Sequence, residues 1–185
     1  ILASGSSLDA FEWFDRPDPA RLASAVTLLK RLGAVDVSFS TITQDGRWLR
    51  RFPLHPRLAV VMLHAGGAFE ACAVCAWLSE GMRLDQANPT TTCDLLPVLD
   101  NWPRMPQHVR QVAEQLDQLA RTMFGDAFQR QISELELRRA LLAGYPDRVA
   151  KRRAGDKVTM ANGHGAVIGR ASGVRNADWI VAIDV

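Results

Sequence analysis

The stretch that decides the expected fold is residues 28–66, LLKRLGAVDVSFSTITQDGRWLRRFPLHPRLAVVMLHAG, in a chain of 185 residues. Its first residues are the end of an amphipathic helix. That helix begins earlier, with Asp18 as its N-cap and Pro19 as its first helical residue. Gly33 ends that helix, because glycine takes the left-handed conformation at little cost. The sequence therefore predicts one helix that runs from residue 19 up to this glycine.

The middle of the stretch predicts a short hairpin. Residues 35–40 and 41–49 are its candidate strands, with Asp45-Gly46 as the turn signal. Helices followed by a small hairpin are typical of a winged-helix domain. We expect that domain over residues 1–52.

A helical domain is expected over residues 53–144. Pro56 opens a helix that is apolar almost all round, and residues 69–78 are similarly apolar. Helices without a polar face belong in the middle of a bundle. The polar residues 85–93 predict a loop, and a clean amphipathic helix closed by Gly125 follows it.

The hydrophobic period changes after this domain. Asn162-Gly163, a common hairpin turn, lies between the short apolar runs VTM and AVI. Residues 179–185, WIVAIDV, are a strong β run. We expect residues 145–185 to start an antiparallel, OB-like β-domain that is incomplete here. The predicted fold class is mainly α with small β parts, in the order winged helix, helical bundle and partial β segment.

Composition excludes some functions and leaves others open. The apolar fraction of 48% is ample for a core, and the net charge of +2 does not predict nucleic-acid binding by the whole surface. No charge-free apolar run reaches the length of about 18 residues that a membrane span needs. The first residues lack the features of a signal peptide, and there is no initiator methionine. We expect a piece of a longer protein.

Three cysteines give no disulfide framework. Cys72 and Cys75 have the C-x-x-C spacing, but a zinc site needs about four ligands, and this chain adds only Cys93 and four scattered histidines. The pair lies in an apolar helical context, where cysteine behaves as a small hydrophobic residue. The sequence therefore favours core packing over a metal or redox site, and a reducing cytoplasm as the compartment.

No catalytic motif is present in the chain. A G-x-x-x-x-G-K-[ST] phosphate loop, a D-E-x-H box, a G-x-S-x-G elbow and an H-E-x-x-H motif are all missing. The sequence thus predicts an accessory region without catalytic residues.

Two blocks resemble a known family. The first has the order helix, LGA-D, T-x-D-G-R-x-L and F-P-L-H-P-R-L, which resembles the stretch after the motor domains of DEAH-box helicases. The second is AGYPDRVAKRR, MANGHGAVI and WIVAIDV within residues 143–185, and the pair resembles the bacterial HrpB-type members. The resemblance spans nearly the whole chain and is loose over residues 84–128.

The resemblance implies an accessory C-terminal region of an ATP-dependent helicase. ATP and magnesium would bind to motor domains upstream in the same chain. The winged helix would brace the second motor domain, the helical bundle would form the floor of a single-strand channel, and the β-domain would cover its exit. The implied partner is single-stranded nucleic acid, with RNA as the expected strand.

Two local basic clusters are candidates for phosphate binding. The first, Arg47, Arg50, Arg51 and Arg57, lies at an expected domain joint, which favours solvated side chains or ion pairs across the joint. The second abuts the predicted β-domain, which favours contact with nucleic acid over a solvated surface. Its members are Arg138, Arg139, Arg148, Lys151, Arg152 and Arg153.

The tryptophans are spread along the chain. Trp13, Trp48, Trp77 and Trp179 stand one per predicted element, as is typical of core anchors. Trp102 lies beside a proline in a polar loop and is the one we expect to be exposed.

Two other functions stay open. A winged helix can read the DNA major groove in a transcription regulator, although the candidate recognition helix carries only Arg21, Lys30 and Arg31 as basic residues. A protein-interaction scaffold is the third possibility, since no motif contradicts it.

Overall fold

A computed structural model describes residues 1–2, 8, 10–83 and 90–183. Its α-helices and strands confirm the mainly α fold with a small antiparallel sheet. Most of the loop expected over residues 85–93 lies outside the described residues. The elements are α1 (Pro19–Arg31), α2 (Gln44–Leu49), α3 (Pro56–His64), α4 (Phe69–Ser79), α5 (Leu96–Asp100), α6 (Gln107–Phe124), α7 (Glu134–Gly144), β1 (Val149–Arg152), β2 (Lys157–Met160), β3 (Gly165–Val167) and β4 (Trp179–Val181).

Helix α1 begins and ends as the sequence predicts. The Asp18 carboxylate accepts hydrogen bonds from the backbone N–H groups of Ala20 and Arg21, at 2.9 and 3.1 Å. Gly33 follows the helix with φ +66°, a left-handed conformation that favours glycine. The local sequence thus fixes both ends of this helix.

The hairpin expected around Asp45-Gly46 is wrong, because these residues lie inside helix α2. Thr43 caps that helix, with its hydroxyl accepting from the Gly46 N–H at 2.9 Å and donating to the Gly33 carbonyl oxygen at 2.6 Å. What remains of a hairpin in this described region is a single bridge between Val35 and Ile42. The reason is that a threonine-capped turn and an Asp-Gly turn share the same local sequence, and the cap formed here.

Helices α3 and α4 lie at the centre of the bundle, as their apolar sequences predict. Helix α3 packs on α7, and α4 packs on α6. Cys72 and Cys75 are fully buried in α4, which confirms that they pack in the core. Leu32 and Phe52 belong to the same apolar core as these helices. The boundaries expected between the winged-helix, helical and β-domains stay predictions.

Helix α7 begins at Glu134, where Ser133 forms a reciprocal capping box with Glu136. Trp102 is half-buried, with its ring 5.5 Å from that of Phe69 in an edge-to-face contact, so the expectation of an exposed side chain is wrong. In the described part of the chain no helix is long and apolar enough to cross a membrane.

The strands form one antiparallel sheet in the order β3-β2-β1-β4. The hairpin predicted at Asn162-Gly163 is confirmed, and Gly163 takes the left-handed conformation at φ +87°. One face of the sheet is buried over a small second core of Ala150, Val158 and Met160.

Two contacts fasten the sheet region to the helices. Asp147, just before β1, forms a bidentate ion pair with Arg57 on α3 at 2.6 and 2.8 Å. The Asp94 carboxylate, just before α5, accepts from the Ser172 hydroxyl at 2.6 Å and the Gly173 N–H at 2.7 Å. Both pairs join residues far apart in sequence, so they fix how the sheet sits on the bundle.

Candidate nucleic-acid interface

The six predicted binding residues fall into different surroundings. Arg138 and Arg139 are exposed on helix α7, and Arg148 is half-buried in the turn before β1. Lys151 and Arg152 lie on β1, and Arg153 follows directly. The six residues therefore stand on helix α7, in the turn before β1, and on β1 with the residue that follows it.

Arg152 is committed to holding a loop in place. Its guanidinium donates to the carbonyl oxygens of Ala177 at 2.9 Å, Val174 at 2.9 Å and Gly155 at 3.1 Å. The side chain is 14% exposed and also lies 3.9 Å from the Asp156 carboxylate. A guanidinium with this many partners has few donors left for a phosphate.

Arg138 has a neighbour of opposite charge on its own helix. Its Nε lies 3.4 Å from the Glu134 carboxylate one turn earlier, and both side chains are about 40% exposed. Glu134 also accepts a hydrogen bond from the Thr92 hydroxyl. An exposed pair of this kind is weak, and its arginine stays accessible to a ligand.

Lys151 and Arg153 share the open face of the sheet. Lys151 pairs in register with Thr159 on one side and Trp179 on the other, and cross-strand partners point to the same face. Arg153 reaches that face too, since its Nε donates to the Thr159 hydroxyl at 3.1 Å. Lys157, two residues before Thr159 on β2, is exposed on the same side.

Trp179 is exposed, which corrects its prediction as a core anchor. The side chain stands on the open face, and the residue is 62% exposed. The Nζ of Lys151 lies 5.4 Å from the centre of its ring. The run WIVAIDV has no polar alternation to show which face points outward, so the sequence carried no signal for this. The pairing of Trp179 with Lys151 in the strand register shows that both side chains lie on the same face.

In the first basic cluster, Arg57 forms an ion pair of the kind that a position at a domain joint predicts. That guanidinium, 11% exposed, pairs with Asp147, donates to the Gly144 carbonyl oxygen at 3.2 Å and lies 5.2 Å from the Tyr145 ring centre. Hydrogen bonds from Arg57 hold the pKa of the Asp147 carboxyl below its usual value. Arg51 lies over the Trp48 ring at 5.4 Å.

The cysteine pair has the electrostatics of core residues. Burial raises the pKa of Cys72 to about 12 and that of Cys75 well above its usual value. Thiols that hold their protons so firmly are poor nucleophiles and poor metal ligands. Within residues 1–2, 8, 10–83 and 90–183 no group of three or more His, Cys, Asp or Glu side chains is placed to hold a metal ion.

Comparison with known proteins finds similarity to a helicase in sequence and in structure. The chain is 27% identical over 175 residues to the ATP-dependent RNA helicase HrpB of Escherichia coli K12, covering 92% of this chain and 20% of that protein. No protein-family model matches.

Solved structures agree with that match. The crystal structure of the E. coli DExH-box NTPase HrpB aligns over 92% of this chain with a TM-score of 0.72 and 23% identity. A second structure, of the E. coli DEAH/RHA helicase HrpB, aligns over the same share with a TM-score of 0.69 and 22% identity. This chain spans about a fifth of the length of each. In sequence and in fold, the chain is therefore similar to a C-terminal region of an HrpB-type helicase.

Proposed function

We propose that the chain is the accessory region of an ATP-dependent DEAH-box helicase and guides single-stranded nucleic acid, with RNA as the expected strand, past the motor domains. The observation that carries this proposal is the similarity to HrpB over 92% of the chain in both sequence and fold. The relative is named an ATP-dependent RNA helicase, which supports RNA as the strand.

ATP hydrolysis belongs to other parts of such a helicase. The chain has no phosphate-binding loop, and its described residues bring together no carboxylate cluster for magnesium. The residues present do not fit a nucleotide–magnesium site. ATP and magnesium would bind to the motor domains, and this region would act passively on the strand.

The charges on the open face of the sheet support the guiding role. Phosphate contacts from lysine and arginine supply affinity without reading sequence, as a moving strand requires. Lys151 and Arg153 are exposed there, and Arg148 lies in the preceding turn. Arg152 acts indirectly: its hydrogen bonds hold the loop that leads into β4, and so support the residues that would contact the strand.

A binding titration tests the proposal. Fluorescence anisotropy with a labelled single-stranded RNA should show weak, salt-sensitive binding by the chain. Replacing Arg148, Lys151 and Arg153 with glutamine should weaken it and reduce the salt slope by about 0.7 for each phosphate that is no longer neutralised. Arg152 is left intact so that the sheet keeps its loop.

The matched control is the first basic cluster. Glutamine at Arg47, Arg50 and Arg51 removes the same number of charges and should leave strand binding nearly unchanged, because we expect those residues to face the motor domains. Equal weakening by both triple variants would place the strand elsewhere, and no binding by the unmodified chain would overturn the guiding role. The cytoplasmic compartment stays a prediction.

A further inference from the structure

The open face of the sheet carries a large aromatic ring in water. Trp179 lies on β4 and is 62% exposed, with Val167 on β3 of the same face 70% exposed. The opposite face is closed over Ala150, Val158 and Met160. A tryptophan in solvent, on a sheet that has its core on the other side, has its ring accessible to a ligand.

Cations share the open face with this ring. Lys151 is its direct cross-strand partner, and its ammonium lies 5.4 Å from the ring centre. Arg153 reaches Thr159, which is the next residue across the sheet from Lys151. Lys157 is exposed on β2 at the same face. The open face thus carries three positive side chains, of which Lys151 lies against the ring.

Acidic side chains nearby leave these cations unneutralised. Among the described residues, no carboxylate oxygen lies within 4.0 Å of the side-chain nitrogens of Lys151, Arg153 or Lys157. Asp156, the acidic residue next to Lys157 in sequence, is turned to Arg175 at 3.4 Å and Arg152 at 3.9 Å. The face is therefore positive as well as aromatic.

A ligand for this face needs planar, uncharged rings and regularly placed negative charges. An apolar protein partner would leave the three cations without counter-charges, and a duplex keeps its bases stacked inside and away from an aromatic side chain. Single-stranded nucleic acid offers both features, since an unpaired base stacks on the ring while its phosphates meet the cations.

We propose that Trp179 is a stacking platform for one unpaired base, and that Lys151 and Arg153 hold the phosphates beside that base. This rests on the proposed function and adds the residue that grips the strand by its bases. Stacking of this kind tolerates every base because each has a π-face, so the grip needs no particular sequence.

The test compares Trp179→Ala with Trp179→Phe and with Val167→Ala, a control on the same open face. Binding of single-stranded RNA is measured by anisotropy across a range of salt concentrations. Trp179→Ala should weaken binding about 5- to 150-fold at every salt concentration, since stacking disappears while the phosphate contacts remain. Trp179→Phe should recover part of the affinity, and Val167→Ala should bind as the unmodified chain does.

A strand with one abasic nucleotide in each binding site separates stacking from charge, because that nucleotide lacks the base that would stack but keeps its phosphate. Abasic strands should bind the unmodified chain more weakly than intact strands, whereas Trp179→Ala should bind both alike. Thermal unfolding checks that each variant is folded. If the unmodified chain binds but Trp179→Ala binds equally well, the stacking platform is refuted and the guiding role survives. If the unmodified chain binds no strand, both are overturned.

Discussion

Asp147→Asn should destabilise the chain much more than Asp117→Asn, although each change replaces one ion-paired carboxylate by an amide of the same size. The Asp147 side chain is 19% exposed and receives two N–H groups of Arg57, itself 11% exposed, at 2.6 and 2.8 Å. Asp117 also receives two bonds, from Arg121 at 2.7 and 3.1 Å, but Arg121 is 53% exposed and lies one turn along the same helix.

The size of the difference follows from burial. A hydrogen bond to a charged group contributes about 1.5–3 kcal/mol where water is excluded, and an exposed pair one turn apart contributes about 0.3–0.5 kcal/mol. The amide oxygen can still accept one bond, so Asp147→Asn removes one charged bond and should cost about 2 kcal/mol. In a chain of this size that lowers Tm by about 4–8 °C, against about 1–2 °C for Asp117→Asn.

Circular dichroism melts of the three proteins across pH measure this. Hydrogen bonds from Arg57 lower the pKa of Asp147 in the folded chain, so the folded carboxyl holds a proton less readily than the unfolded one. The stabilisation is therefore complete above the unfolded pKa of about 3.9 and is lost as pH falls through the lower folded value. The gap between Asp147→Asn and the unmodified chain should be constant near neutral pH and should shrink in acid.

Two results would refute this reasoning. One is an equal drop in Tm for Asp147→Asn and Asp117→Asn, which would mean that burial does not strengthen the pair. The other is a gap that stays constant in strong acid, since a protonated Asp147 cannot keep an ionic contribution.

Three further outcomes can be measured on the same protein. Gly46→Ala should cost about 2 kcal/mol, because the added Cβ would lie 1.9 Å from the Ala34 carbonyl oxygen, whereas Gly169→Ala meets nothing within 4 Å and should unfold like the unmodified chain. Cys72 and Cys75 should resist a thiol reagent until the chain unfolds, because burial raises their pKa values, and metal analysis should find no stoichiometric zinc; one zinc per chain would contradict their packing role. The isolated chain should hydrolyse no ATP with or without RNA, and turnover that survives contaminant controls would contradict its accessory role.

The helices that the sequence predicts well are those with a simple apolar pattern. Helices α3 and α4 are apolar all round, which leaves the centre of a bundle as their place. The hairpin prediction at Asp45-Gly46 was wrong because the Thr43 cap and a close tertiary contact together favour a helix there. Gly46 lies against the Ala34 carbonyl oxygen, where no side chain fits. A local sequence pattern does not predict such a close contact.

The candidate site shows a different limit. Charge density along the sequence grouped Lys151, Arg152 and Arg153, but neighbours on a strand point to opposite faces. Arg152 therefore turns to the loop carbonyl groups while Lys151 meets Trp179. Only the pairing of β1 with β4 shows which cation stands beside an aromatic ring. That pairing joins segments far apart in sequence, so neither segment encodes it alone.

The strand order β3-β2-β1-β4 also has a consequence for synthesis on the ribosome. One edge of β1 can pair at once with β2, whereas its other edge must wait for Trp179–Val181, the last strand of the sheet to be made. An unpaired strand edge invites pairing with another chain, and charged side chains, lysine above all, discourage it. Lys151 lies on that waiting edge, at the end of the pairing where it meets Trp179. We therefore expect this cation, before β4 is made, to disfavour pairing of the nascent edge with another chain.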